Sequence, residues 1–383
     1  MTNEFNQIAE RLLADPTAAG IRVTTHYTSA IGPTVTPPAG TLRILGDRPV
    51  DVHGEFELPD GRQAVTLDSW GSQASRMEAS AEALAEQIGF PLVRFLDKNG
   101  QLLTTSVRLS HRHADATWRA ARKELEAVGV PFADIQNATV SHADPLLRWF
   151  PTAPLFGWWH SHTTNEKKHA TLAATLGSDV ADAVAGYARL HEDSRSARVI
   201  TAEIIAKGVH RRQRMAARSD SLFGPLKSIT GIRKGSIKPS ELGLGSLPPV
   251  DEKKAPVDVT YEDIQGNWFL SLAGLRRYGY DTIDRTDAGS LLMALGLLLR
   301  ETAQQESRLR AGTELAVSAP GPRAEILWHG DQDEPIELPS HDELCQIVRT
   351  LGEKVGWRGP LDVTFASDSV LLKLLGGANR EEP

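Results

Sequence analysis

The sequence has little cysteine and no long apolar run. Cys345 is the single cysteine among 383 residues, so a disulfide framework or a cysteine-based zinc site within one chain is excluded. The longest apolar run, residues 291–299, is far shorter than the roughly twenty residues that cross a bilayer. The polar segment 1–6 lacks a signal-peptide pattern, so we expect a cytoplasmic protein without a membrane partner.

Motifs for nucleotide binding and covalent catalysis are also missing. There is no Walker loop, no convincing Gly-x-Gly-x-x-Gly motif, and no Ser/His/Asp or Cys/His nucleophile pattern. Cys345 lies beside Leu344 and Ile347 in an amphipathic pattern and is expected in the core. We therefore expect no cofactor.

Charge is unevenly distributed. Residues 195–238, called the basic stretch below, contain eleven lysines and arginines and two acids, in a chain whose net charge is −7. A cationic stretch on an anionic body attracts a polyanion locally, while the rest of the surface repels indiscriminate binding. The alternative is a solvated basic face without a ligand.

Mixed strand and helix patterns predict an α+β fold. A long loop rich in glycine and proline is predicted at 219–250, and a helical zone at about 166–191. A helical repeat of apolar residues from Trp70 to Ile88 predicts that Trp70 is buried. A second helix is predicted to begin at His111, with Val128 on its buried face. The other predicted helices are 4–14, 288–304 and 341–355, and the main predicted strands are 21–28, 52–58, 64–67, 92–96, 102–109, 198–205, 263–270, 314–318 and 324–328.

Two histidine pairs suggest enzymatic alternatives. His160 and His162, in GWWHSH at 157–162, resemble the opening of a zinc metalloprotease motif of the deubiquitinase type, but no proline follows and the Ser-x-x-Asp element is missing. His111 and His113 could serve as acid and base in an endoribonuclease. Structural, capping or nucleic-acid contacts are the alternatives for both pairs.

Gln73 and Arg76 lie one turn apart near a predicted helix start, where free backbone N–H groups suit a phosphate. The alternative for Arg76 is an ion pair with Glu78 or Glu82 in water.

Seven strings occur in order along the chain: LDSWGSQASRME (67–78), LTTS (103–106), SHRHAD (110–115), PTAPLFG (151–157), ARVITAEII (197–205), DVTYEDIQ (258–265) and LAGLRRYG (272–279). Together they resemble one family, the backbone subunit of type I-G (earlier I-U) CRISPR interference complexes, in the RAMP superfamily. The resemblance extends over roughly residues 20–315, and Ser75 stands where an asparagine is expected before Arg76.

The resemblance implies one elaborated domain, residues 1–383, built on an RRM-like (ferredoxin-like) palm. It also implies a helical finger-like insertion at 110–192 and a thumb-like basic loop at 219–256; residues 330–383 form a C-terminal addition without an assigned role. The implied function is non-catalytic binding of a CRISPR guide RNA. The candidate RNA-binding residues are Gln73, Arg76, His111, Arg112, Arg198, Arg211, Arg212, Arg233, Lys234 and Lys238.

The resemblance also implies partners. Copies of the chain would line up head to tail along one guide RNA, target DNA would pair with the exposed guide, and other subunits would complete the complex. We expect the acidic body of one copy to pack against the basic flank of the next, through Arg211 and Arg212 among others.

Overall fold

A computed structural model describes residues 2–38, 54–159, 195–213, 257–305, 308–330 and 332–366, the short segments 43–45, 48–50, 218–219 and 246–247, and residues 174, 178 and 369. The structure is a mixed α/β fold. The helices are α1 (Thr2–Ala14), α2 (Trp70–Ile88), α3 (Ala116–Ala120), α4 (Arg122–Ala127), α5 (Phe132–Asn137), α6 (Asp144–Trp149), α7 (Thr152–Phe156), α8 (Leu272–Arg276), α9 (Arg285–Gln305) and α10 (His341–Val355).

The strands fall into one large sheet and several small ones. They are β1 (Ala18–Ser29), β2 (Thr34–Val35), β3 (Arg43–Leu45), β4 (Arg48–Val50), β5 (Glu55–Glu57), β6 (Gln63–Asp68), β7 (Val93–Leu96), β8 (Leu102–Thr105), β9 (Trp158–Trp159), β10 (Arg195–Ser196), β11 (Ile200–Lys207), β12 (His210–Gln213), β13 (Arg218–Ser219), β14 (Ser246–Leu247), β15 (Val257–Thr260), β16 (Asp263–Ser271), β17 (Arg308–Arg310), β18 (Thr313–Val317), β19 (Arg323–Trp328), β20 (Glu334–Ile336) and β21 (Leu361–Thr364).

The central sheet is antiparallel and places β19, β1, β16 and β11 side by side, with β6 and β5 continuing beyond β11. In its register Trp268 of β16 lies between Val23 of β1 and Ala202 of β11. These four strands and the helices α2 and α9 follow one another along the chain as β1, α2, β11, β16, α9 and β19, with other elements inserted between them, which is the order strand, helix, strand, strand, helix, strand. The first and last of these strands, β1 and β19, are hydrogen-bonded neighbours, so parts of the chain that are distant in sequence pair within the sheet.

Helices cover one face of this sheet. Residues 288–299 of α9 are all buried, because this helix lies between the sheet and the helices α1, α2 and α10. Asp284 begins α9 by accepting hydrogen bonds from the backbone N–H groups of Thr286 and Asp287 at 2.9 and 3.0 Å. Ser340 and Glu343 form a capping box that fixes the start of α10.

The described part of the C-terminal addition is joined to the rest of the chain. Strand β21 pairs in parallel with β7, Leu361 opposite Val93. The indole Nε1 of Trp357 donates to the carbonyl of Leu147 at 2.8 Å. Among the described residues, none of the helices has the length and apolarity that a membrane crossing needs.

Four local predictions are wrong. The strand predicted at 102–109 ends at Thr105, and Ser106–Arg108 form a 3₁₀ helix. Trp70 is 56 % exposed, because it is the first residue of α2 and precedes the turns that face the sheet. Val128 is 43 % exposed, because α4 ends one residue earlier. The helix predicted from His111 begins only at Ala116, because Arg112 has φ +53° in a short 3₁₀ turn, and an α-helix cannot continue through that conformation.

Candidate nucleic-acid interface

The face of the central sheet opposite α2 and α9 is polar and partly exposed. Every second residue of β16 is buried on the side of the sheet that carries the helices, and the residues between them point to the other side. Asn267 lies there between Thr24 and Glu203 in register, and Phe269 between Arg22 and Thr201. The open face, as we call it, consists of Arg22, Thr24, His26, Thr201, Glu203, Lys207, Gln265, Asn267 and Phe269.

The open face offers amide and hydroxyl groups and one aromatic ring, but its cations are engaged. Arg22 binds Glu325 at 2.7 Å and Asp333 at 2.8 Å. Lys207 donates to the side-chain carbonyl of Gln265. The face therefore suits hydrogen bonding and stacking with a polar ligand more than attraction by charge. Sequence reasoning missed these residues, although the alternation within residues 263–271 indicated a strand with one polar side.

The predicted pair Gln73 and Arg76 meets at one buried carboxylate. Asp68, which is 1 % exposed, accepts from Gln73 Nε2 at 2.6 Å and from Arg76 Nε at 3.1 Å. Arg76 also donates to the carbonyl of Leu309 at 3.0 Å. The alternative pairing of Arg76 with Glu78 or Glu82 is wrong, since the partner is Asp68. Both predicted residues thus hold the start of α2 against the end of β6.

Arg112 is largely buried beside α2, with its side chain 11 % exposed. Its guanidinium donates to both carboxylate oxygens of Glu78 at 2.9 and 2.7 Å, and to the carbonyl of Gly157 at 2.7 Å. Thr152 Oγ1 donates to the same carboxylate at 2.6 Å. Burial raises the pKa of Glu78, and Arg112, Thr152 and Arg198 oppose that effect. The contacts give Arg112 a structural role that ties the 3₁₀ turn to α2.

The two histidines of that turn have different surroundings. His111 is exposed, and its backbone N–H donates to the carboxylate of Asp115 at 3.3 Å. His113 is 0 % exposed and packs between the rings of Phe150 and Trp158, with ring centroids 5.8 Å away in each case. A substrate therefore cannot reach both histidines together, which argues against the endoribonuclease alternative.

Arg198 lies at an exposed corner with two tryptophans. The Nη2 atom of Arg198 would lie 3.9 Å from a Cβ built on Gly71, so the Arg198 guanidinium is beside the first turn of α2. Trp70 is 56 % exposed and Trp159 is 61 % exposed. Arg195 is directly opposite Trp159 in the β9–β10 pair, so both side chains project from the same face. We call Trp70, Trp159, Arg195 and Arg198 the tryptophan corner.

Arg211 and Arg212 lie on β12, in a small sheet with β15 and β2. Being adjacent, they project to opposite sides of the strand. The Nε and Nη2 atoms of Arg211 both donate to the carboxylate of Glu55 in β5, and the Nε distance is 2.8 Å. Arg212 is exposed and lies opposite Asp258 in register. The structure therefore brings Arg211 to a neighbouring element and leaves Arg212 at the surface.

Several predicted residues lie outside the described residues. They are Arg233, Lys234 and Lys238 of the thumb-like loop and His160 and His162 of the zinc alternative. The predicted helical zone and most of the loop at 219–250 lie there too. Within the described ranges, no cluster of three or more histidine, cysteine, aspartate or glutamate side chains could hold a metal ion.

Residues 21–186 match the family model described as CRISPR-associated protein GSU0053. The match covers less than half of the chain, and it confirms the resemblance of the sequence strings to a CRISPR-associated family. Assignment to subtype I-G stays a prediction. A comparison with curated proteins gave no match.

Proposed function

We propose that this chain is a non-catalytic backbone subunit that binds a CRISPR guide RNA and presents it for pairing with target DNA. The order β1, α2, β11, β16, α9, β19 and the neighbours β19–β1–β16–β11 are those expected of an RRM-like (ferredoxin-like) palm. RRM-type sheets bind RNA on the face that the helices leave open. The CRISPR-associated family match supports the same assignment.

The observation that carries the proposal is that exposed arginines flank β11, one of the strands that form the open face. Arg195 and Arg198 lie before β11, and Arg212 lies after it. The eight residues of β11 extend over about 26 Å at roughly 3.3 Å per residue. An RNA strand that runs along β11 would meet a cation at each end and the open face between them.

Such an arrangement suits recognition of the RNA backbone. A subunit that accepts any guide sequence has to contact phosphates and 2′-hydroxyls, because base identity is read by pairing with the target. The amide and hydroxyl groups of the open face can donate to such oxygens, and Phe269 offers a ring for stacking. Trp70 and Trp159 extend the stacking surface around the corner.

The predicted residues then fall into two groups. In the proposal, Arg198, Arg212 and His111 contact the RNA directly, while Gln73, Arg76, Arg112 and Arg211 position the elements that carry those contacts. Arg233, Lys234 and Lys238 keep their proposed role on a thumb that divides the guide into segments.

The proposed complex is cytoplasmic and contains further copies of the chain packed head to tail, together with the other subunits of a CRISPR complex. An open filament needs two different surfaces on each copy. The acidic body and the basic flank provide such a pair, and exchange of charge at Arg211 and Arg212 is expected to weaken assembly.

The first test is to purify the protein with its operon partners and sequence the nucleic acid that accompanies it. We expect one RNA of repeat–spacer type with an unchanged length over hours. Protein that carries no RNA, and that also ignores added guide RNA, would overturn the proposal. Progressive RNA shortening would overturn its non-catalytic part.

The second test uses fluorescence anisotropy with a guide RNA and with a scrambled spacer of equal length. We expect equal affinities, and a triple variant Arg195→Gln/Arg198→Gln/Arg212→Gln should lower the salt slope of binding by up to about 2. The matched control is Arg108→Gln/Arg122→Gln/Arg349→Gln, three arginines that lie on none of the strands of the central sheet and are 62 %, 49 % and 61 % exposed. Equal slopes for the two triple variants would contradict the proposed interface.

A further inference from the structure

A carboxylate lies in the middle of the open face, where a surface that held only phosphates would not carry one. Glu203 of β11 is half-buried and lies directly opposite Asn267 of β16 in register. Ala202 and Ile204, on either side of it, are buried, so the Glu203 side chain projects from the open face. Directly opposed residues of an antiparallel pair have Cβ atoms about 4.5–5.5 Å apart. One ligand atom can therefore reach both Glu203 and Asn267.

Trp70 holds the Glu203 carboxylate in place. The indole Nε1 of Trp70 donates to Glu203 Oε2 at 3.1 Å. Among the described residues the Glu203 side chain has no salt bridge and no second hydrogen-bond donor. Its Oε1 atom is therefore available as an acceptor, which is the role that an ionised carboxylate can fill.

A directional chain of hydrogen bonds orients Asn267. Lys207 donates to Gln265 Oε1, and Gln265 Nε2 donates to Asn267 Oδ1 at 2.6 Å. A lysine ammonium can only donate, so the Gln265 amide presents its oxygen to Lys207 and its nitrogen to Asn267. Within the described part of the chain, the Asn267 Nδ2 hydrogens have no acceptor. The open face thus presents an amide donor beside a carboxylate acceptor.

This pairing of donor and acceptor matches a hydroxyl group, which can accept one hydrogen bond and donate another. A phosphate oxygen only accepts, and its charge is repelled by the Glu203 carboxylate. Base edges differ from one guide sequence to the next, whereas every ribose of RNA carries a 2′-hydroxyl and DNA has none. Water has the same hydrogen-bonding capacity as the hydroxyl, and it is the molecule that a bound ribose would displace from this exposed position.

We propose that Glu203 and Asn267 bind a ribose 2′-hydroxyl and make the open face select RNA over DNA. Asn267 Nδ2 donates to the hydroxyl oxygen, and the hydroxyl donates to Glu203 Oε1. Gln265 and Trp70 are positioning residues, since each orients one of the two groups through a hydrogen bond. This inference rests on the proposed RNA-binding function and adds to it the residues that determine selectivity.

The test measures, by fluorescence anisotropy, the affinity of the RNA-free full chain for three oligonucleotides of one sequence. They are the guide RNA, its 2′-fluoro analogue and single-stranded DNA. The 2′-fluoro analogue keeps the sugar pucker of RNA but cannot donate to Glu203, so it separates hydrogen bonding from shape. We expect the RNA to bind at least about tenfold more tightly than either of the others, because both lack a hydrogen bond to a charged group. The ratio should be the same for a scrambled sequence.

Glu203→Gln should lower the ratio of RNA to 2′-fluoro affinity to about 2 or less. The Trp70 indole requires an oxygen, so the new amide turns its nitrogen toward the hydroxyl, which then faces two donors and no acceptor. The matched control Glu86→Gln is on α2, at a side chain that is 76 % exposed, and it should keep the ratio of the unaltered protein.

The comparison of oligonucleotides on the unaltered protein does not require Glu203→Gln to fold. Equal affinity for RNA and the 2′-fluoro analogue would overturn this inference and leave the RNA-binding proposal intact. An unchanged ratio in folded Glu203→Gln protein would do the same. Failure to bind any of the three oligonucleotides would overturn both proposals.

Discussion

Replacing Arg112 by methionine should be among the most damaging single changes in the described structure. Its side chain is 11 % exposed and that of Glu78 is 6 % exposed, so the pair is shielded from water. The variant leaves Glu78 buried with Thr152 as its remaining side-chain donor, and it removes the hydrogen bond to the carbonyl of Gly157. Removing one partner of a buried pair costs about 3–5 kcal/mol of unfolding free energy.

A matched control separates burial from charge. Arg108 also pairs with a glutamate on α2, Glu82 at 2.6 Å, but its side chain is 62 % exposed. We expect Arg108→Met to cost about 0–1 kcal/mol, because exposed ion pairs contribute little. The measurement is urea denaturation of both variants followed by tryptophan fluorescence, with midpoints and slopes compared. Similar losses for the two variants would refute the argument from burial.

The pH dependence of the same variant gives an independent check. Burial raises the pKa of Glu78 in the folded protein, and loss of Arg112 removes an opposing effect and raises that pKa further. A carboxyl group that holds its proton more tightly when folded favours folding at low pH, and this contribution is lost as pH rises through the folded pKa. The defect of Arg112→Met should therefore be smaller at about pH 5 than at about pH 8. Glu78→Gln in the same chain should recover part of the loss, because the buried group is then neutral. A pH-independent defect without recovery would contradict this reasoning.

Three further changes have measurable outcomes. Gly157→Ala should lower the free energy of unfolding by about 1–3 kcal/mol in urea, because Gly157 has φ +78° and a Cβ there would lie 2.5 Å from the carbonyl of Ser196. Asp144→Asn should lower the free energy of unfolding by about 2 kcal/mol near neutral pH and by less in acid. Burial alone would raise the pKa of Asp144, but hydrogen bonds from residues 281–283 lower it overall. The stabilisation from this carboxylate is therefore present above its unfolded pKa and is lost as pH falls through its folded pKa. Trp159→Ala should weaken RNA binding by about 1–3 kcal/mol without a change in salt slope, since stacking involves no counterion release; an altered slope with unchanged affinity would contradict the stacking role.

The elements that the sequence predicted well are those whose signals are local. Helix 341–355 was predicted with the bounds that α10 has, because its start has a capping box and its end has Gly356 in the left-handed region. The alternation in residues 263–270 likewise predicted β16. Trp70 and Val128 were misassigned because both lie at helix ends, where periodicity continues in the sequence although the contact with the core has stopped. The neighbouring positions of β1 and β19 depend on residues about 300 apart, and no local pattern contains that pairing.

The candidate interface shows the same difference between local sequence signals and long-range contacts. The charge count in residues 195–238 treats every arginine alike, but contacts with distant acids separate them. Glu55, 156 residues earlier in the chain, engages Arg211, whereas the adjacent Arg212 is exposed. A cation already paired with a carboxylate releases few counterions when RNA binds, so it adds little to the salt dependence of affinity. The measured slope should therefore be smaller than the net charge of +9 over that stretch implies. Arginines with the same local sequence character thus differ in function according to which acid the fold brings to them.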